Sequence, residues 1–321
     1  MKLGVFTVLL GAKSPEESLQ YLKKLGVRAV ELGTGGYPGK AHANPDSLLS
    51  EDAKLNSLKN LVQQYDMEIS ALSCHGNPVH PQAEIAEKFR EDFEKTVLLA
   101  EKLGVERVVT FSGCPGDSPA SLYPNWVTCP WPEDFLKVLD YQWNEVLIPY
   151  WKKAVAFASA HGIQKICLEM HPGFCVYNPE TLLKLREAVG PAIGANFDPS
   201  HLYWQGIDPV AAIRKLGDSI YHFHAKDTLI DPQNTAVNGV LDTKHYGDVQ
   251  NRSWLFRTVG YGHGHKCWKD MVSALRMTGY DHVISIEHED SLMSVEEGLQ
   301  KAVSFLKEVM IFEEAGGMWW A

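Results

Sequence analysis

The chain has 321 residues, 45% of them hydrophobic and 22% charged, and its 40 acidic against 30 basic side chains give a formal net charge of −10. That length and apolar content support one large core, and a single α/β barrel routinely fills such a chain. The acidic balance argues against nucleic acid or an anionic membrane surface as partner, and no apolar run approaches the ~20 residues that span a bilayer.

The opening stretch, Met1 to Gly11, imitates the start of a signal peptide, but its apolar core is short and runs directly into Ser14-Pro15-Glu16-Glu17, a helix start. Residues 3–9 are better read as a first strand, followed by a helix over 14–25 that Gly26 ends. Residues 27–32 form the next strand, and 53–65 carry apolar residues at helical spacing. Glu68–Ser73 is a strand leading to His75, then comes a long helix over 85–103 closed by Gly104. Arg107–Phe111 is the fourth strand. A helix ending at Ala160-His161-Gly162 precedes the fifth. Asn178 caps a helix with Pro179 at its first position, and Asp208-Pro209 repeats that start. The last two helices cover 268–277 and 294–309. Eight such βα units without a linker predict one (β/α)₈ TIM barrel spanning residues 1–321 as a single domain. Two connections, 112–132 and 228–266, are longer than connectivity requires, so they are expected to build the substrate pocket. The cysteines, Cys74, Cys114, Cys129, Cys167, Cys175 and Cys267, include no CxxC pair and read as reduced thiols of a cytoplasmic protein.

Four polar residues close four short apolar runs: Lys165-Ile-Cys-Leu-Glu169, Ile193-Gly-Ala-Asn-Phe-Asp198, Ile220-Tyr-His-Phe-His224 and Val283-Ile-Ser-Ile-Glu287. Each run reads as a buried parallel strand, and a carboxylate or imidazole at its end is costly to bury unless paired or metal-bound. Alone, any one of them is an ordinary cap or surface charge. Together they fall on the fifth to eighth strands in order, at the barrel face where active sites sit. Three carboxylates and one imidazole suit one divalent ion, with Mn²⁺ preferred, Mg²⁺ or Co²⁺ as alternatives, and Zn²⁺ less suited.

The segments Leu168-Glu169-Met-His171-Pro-Gly, Asp198-Pro-Ser-His201, His222-Phe-His224-Ala-Lys226-Asp227 and Ile286-Glu287-His-Glu289-Asp290 resemble the xylose-isomerase-like barrel superfamily of sugar isomerases and epimerases. It includes D-tagatose and D-allulose 3-epimerases, inosose dehydratase and endonuclease IV. The resemblance implies that Glu169, Asp198, His224 and Glu287 bind one divalent metal, and that Glu169 and Glu287 also move the C3 proton of a ketose. The same chemistry follows from charge: a cation chelated by a carbonyl and its neighbouring hydroxyl stabilises an enediolate, and a carboxylate beside it serves as general base. His201 matches an epimerase residue that contacts substrate; alternatively it hydrogen-bonds beneath the metal. Lys226 either binds a hydroxyl or forms a strand-end salt bridge with Asp227. His75, Trp126, Trp131 and Trp204 are offered to the substrate side, the tryptophans either stacking on sugar or packing in the barrel mouth.

Two departures from the epimerase pattern stand out. Ile230 occupies the place of an arginine that follows the metal-binding histidine, so Arg252 or Arg257 is expected to substitute. His171, two residues after Glu169, is an extra acid or base, a feature that resembles the barrel subunit of bacterial C-glycoside-deglycosylating enzymes. The expected function is a metal-dependent sugar isomerase or epimerase. A lyase of the same superfamily is the alternative, and a sugar-binding partner subunit comes third. Endonuclease IV is disfavoured because its Asp-x-His pair is missing. The terminal Gly316-Gly-Met-Trp-Trp-Ala321 either covers an interface, in a homo-oligomer or a complex with a second subunit, or folds back on its own barrel.

Overall fold

The computed structural model describes residues 1–320. Ten strands form: β1 (Lys2–Phe6), β2 (Ala29–Gly33), β3 (Glu68–Ser73), β4 (Arg107–Phe111), β5 (Lys165–Glu169), β6 (Ile193–Phe197), β7 (Ile220–Ala225), β8 (Asp227–Ile230), β9 (Trp254–Arg257) and β10 (Val283–Ile286). All but β8 and β9 close into a parallel barrel in chain order, with β10 pairing β1 through Lys2↔Val283 and β7 through Ser285↔His224. The fold is the expected (β/α)₈ barrel, with helices on its outside.

Local chemistry sets the boundaries where caps exist. Ser14 accepts from Glu17 N while the Glu17 side chain returns to the Ser14 backbone, and Asn178 makes the equivalent box with Thr181 before Pro179–Val189. The first strand ends earlier than residue 9: Thr7 Oγ1 donates to the Glu31 carbonyl and Thr7–Leu10 coils into a 3₁₀ turn. Segment 228–266 is also more structured than a loop. β8 and β9 pair antiparallel from Asp227↔Arg257 to Ile230↔Trp254, enclosing a short helix, Pro232–Asn238.

Strand alternation decides what the barrel interior contains. On β7, His222 and His224 turn inward, whereas Phe223 turns out to meet Trp268 with centroids 6.5 Å apart. Glu31, Ser73, Asn196, His222 and Ser285 are all fully buried, so the barrel encloses a polar network beneath its mouth. Outside lies the apolar core, filled by helix faces such as Leu99, Trp151, Leu185 and Leu275.

Two carboxyl groups tie the hairpin down: Asp290 Oδ2 accepts from Arg257 Nε (3.0 Å) and the Thr258 N–H (2.8 Å), and Asp227 holds the segment that follows. Asp227 Oδ2 accepts from the backbone N–H of Gly260 (3.0 Å), Gly262 (3.1 Å) and His263 (2.9 Å), and Oδ1 contacts His263 Nδ1 at 2.8 Å. Gly262 is required there, because a Cβ would stand 2.2 Å from the Thr228 carbonyl oxygen. Asp227→Ala is expected to cost about 1–3 kcal/mol by leaving these donors unpaired. Urea unfolding checks this, and a wild-type midpoint with an unchanged slope would contradict it.

The six cysteines are free. Among the described residues no helix is long and apolar enough to cross a membrane. Trp319 is 90% exposed, and its ring meets Trp320 edge-on at 5.8 Å.

Candidate metal centre and active site

Glu169 closes β5, Asp198 follows β6, His224 lies near the end of β7 and Glu287 follows β10. The barrel brings them together: one donor atom from each lies within 4.8 Å of the other three. His224 Nδ1 stands 3.1 Å from Glu169 Oε2 and 3.3 Å from Glu287 Oε2. His201 Nε2 bridges Glu169 Oε1 (3.1 Å) and Asp198 Oδ2 (3.2 Å). Lys226 Nζ faces Asp198 (3.2 Å), Glu287 (2.8 Å) and Glu289 (3.0 Å).

The donor set fits a divalent cation. Asp198 Oδ2 and His224 Nδ1 have charged neighbours, yet neither makes an aligned hydrogen bond, so buried lone pairs are aimed at the space between the four side chains. Burial works against ionisation of Asp198, but Lys226 and His201 hold its carboxyl down to about 2. Burial likewise opposes protonation of His224, but Glu31 and Glu287 draw it upward, so the ring would exchange that proton for a divalent cation held with the three carboxylates.

Sequence reading missed the residue beneath His224. Glu31 on β2 is fully buried and places both carboxylate oxygens 2.9 Å from His224 Nε2. Its remaining capacity is filled by His222 Nε2 (2.9 Å), Ser285 Oγ (2.7 Å) and Ser73 Oγ. Burial alone would raise the Glu31 carboxyl, but His224 and His222 hold it well below the usual range. With Nε2–H donating to Glu31, the ring presents Nδ1 to the carboxylates. One signal was available: an acid in the middle of the apolar run Ala29-Val-Glu31-Leu needs an interior partner.

Above the cluster opens a cavity of about 520 Å³. Its lining includes His171, Glu289 and Ser291, with aromatic rings from the loops after β2 and β5, from the end of β4 and from the hairpin. Glu289 joins the cavity to the candidate ligand Glu287 through Lys226. The His171 ring lies 4.0 Å from that of His201, and burial reinforced by His201 pushes it down to about 3, leaving it neutral.

The other sequence candidates separate. His75 Nε2 contacts Glu169 Oε2 at 3.2 Å and its ring packs edge-on against Phe111. Trp126 packs on Tyr177 and lines a different cavity. Trp204 stacks on Trp254 at 4.7 Å, and Trp131 is exposed. Arg257 donates to Asp290 Oδ2 at 3.0 Å and lies over Tyr261, pointing opposite to Phe256, which lines the cavity. Arg252 is buried between the rings of Tyr246 and Trp254.

Residues 19–309 match the model of the xylose isomerase-like TIM barrel. The chain is 43% identical over 312 residues to the uncharacterized protein YfiH of Bacillus subtilis (strain 168), covering 97% of this chain and 99% of that one. Among solved structures, the probable 3-DHS dehydratase AsbF involved in petrobactin synthesis, from Bacillus anthracis, aligns with a TM-score of 0.65 at 18% identity, covering 96% of this chain and 99% of its own. D-psicose 3-epimerase with D-tagatose, from Clostridium cellulolyticum H10, aligns with a TM-score of 0.59 at 14% identity, covering 97% and 99%. At these identities the structural likenesses speak to the fold alone. The family match spans nearly the whole barrel and all four ligand-bearing strand ends: the chain belongs to the xylose isomerase-like TIM-barrel family.

Proposed function

We propose that the protein is a divalent-metal-dependent sugar isomerase or epimerase that removes a proton next to a carbonyl. The observation that carries this reading is the convergence of the four ligand atoms beneath the cavity, with lone pairs of Asp198 and His224 unpartnered. The same barrel fold carries an epimerase reaction in D-psicose 3-epimerase, so the fold accommodates this chemistry. Glu169, Asp198, His224 and Glu287 would hold the cation, and Mn²⁺ suits this oxygen-rich set. When bound, the cation supplies Lewis acidity at the substrate carbonyl.

The side chains divide the remaining work. Both oxygens of Glu169 are engaged, by His75, Asn196, His201 and His224, and its side chain is only 3% exposed. Glu287 is 14% exposed and makes its contacts through Oε2, which leaves Oε1 the freer oxygen for taking a proton. Lys226 orients Asp198 and Glu287, and His201 steadies Glu169.

The test is to incubate Mn²⁺-loaded protein in D₂O with ketoses, inososes and 3-oxo-glycosides. Deuterium is expected in recovered sugar, and activity surviving exhaustive chelation would defeat the metal reading. A lyase is the second reading, favoured by His171 at the cavity beside His201. For an epimerase, His171→Ala should raise KM and leave kcat largely intact, as when uniform binding is lost. A kcat loss of ~10²-fold, with metal content unchanged and no free ketose turned over, would assign the protein to the lyases.

A further inference from the structure

The cavity walls are unlike its floor. On one side Phe111 stacks on Phe174 with centroids 4.3 Å apart, and Tyr37 leans on Phe111 at 6.2 Å. On the other, Tyr246 stacks on Phe256 at 5.9 Å and 20°. Such walls offer few partners for sugar hydroxyls, whose desolvation without hydrogen bonds is unfavourable. They offer flat apolar contact instead. The volume of about 520 Å³ falls among sites that enclose drug-sized ligands.

Charge narrows the ligand further. Arg257 is occupied by Asp290, and Arg252 donates to the backbone carbonyls of Trp254 and Lys244. Lys226 already faces three carboxylates, and one of them, Glu289, lines the cavity. Along the walls, an entering phosphate or carboxylate would meet that acid with no lysine or arginine in the lining to receive it.

We propose that the cavity receives an uncharged, oxygenated substrate whose polar end reaches the metal centre while a flat apolar substituent lies between the Phe111–Phe174 and Tyr246–Phe256 walls. This rests on the reading of the floor as a metal-centred enolisation site. Tyr246 is 53% exposed and Phe174 lies partly open, so both can be altered without opening the barrel core.

The experiment titrates Mn²⁺-loaded protein with phenyl β-D-glucopyranoside, methyl β-D-glucopyranoside, glucose and glucose 6-phosphate, with heat of binding as the readout. The phenyl compound is expected to bind about tenfold or more tightly than the methyl compound. That ratio should fall several-fold in Tyr246→Ala and in Phe174→Leu, and the phosphate should bind no better than glucose. Equal affinity for phenyl and methyl compounds, a ratio unchanged in both variants, no detectable phenyl binding, or preferred phosphate binding would each overturn the proposal. Metal content and deuterium exchange judge the floor, while the phenyl-to-methyl ratio judges the walls, so either reading can fall alone.

Discussion

Glu287→Gln is expected to lower kcat by ~10²–10⁴-fold, the usual contribution of a positioned general base, with much less effect on KM. The amide keeps an oxygen for the cation but cannot accept a proton. Its neighbours make the variant informative: Lys226 Nζ lies 2.8 Å away and His224 Nδ1 3.3 Å away, so the side chain stays held among the candidate ligands. Glu169→Gln should behave differently. Three imidazoles and the Asn196 amide converge on Glu169, and an amide nitrogen there would oppose some of those donors, so metal content should fall along with turnover. Steady-state kinetics on Mn²⁺-loaded protein, with metal quantified in the same samples, separates the two. A Glu287→Gln rate within a few-fold of wild type would remove this side chain from proton transfer.

Glu31→Gln is expected to weaken Mn²⁺ binding by about 10–100-fold, although residue 31 lies outside the proposed ligand set of Glu169, Asp198, His224 and Glu287, because loss of a partner to a ligating histidine typically costs that much. In the native network the carboxylate only accepts, and all its partners can donate to it. Replacing one oxygen by NH₂ sets a donor against donors, favouring a His224 ring whose Nδ1 carries the proton. Chelator competition gives the affinity, and the visible spectrum of the Co²⁺ form reports ligand geometry independently of turnover. Glu31→Asp, which keeps both oxygens, should recover part of the affinity. Unchanged affinity and spectrum in Glu31→Gln would show that His224 is oriented by its strand alone.

The two acids also show what a sequence reveals. Glu287 stands where an apolar run ends, so its position is visible to anyone counting strands. Glu31 sits inside a run, and its importance appears only when closure of the barrel brings β2, β3, β7 and β10 around one point. Caps were legible for a similar reason: Ser14-Pro15-Glu16-Glu17 and Asn178-Pro179 carry their partners within three residues. Arg257 was harder to place. Its direction depends on the parity of a hairpin whose register is set by Asp227 and glycines more than thirty residues apart in the chain. A one-residue change in that parity would exchange Arg257 with Phe256 at the cavity.

That hairpin has an evolutionary consequence. It supplies one wall of the cavity, yet none of the four candidate ligands, and two carboxyl groups, Asp227 and Asp290, anchor its return to the scaffold. A segment hung in this way can be exchanged between relatives as a cassette. Ligand preference would then diverge while the barrel, its buried acid–imidazole network and the reaction it supports descend unchanged.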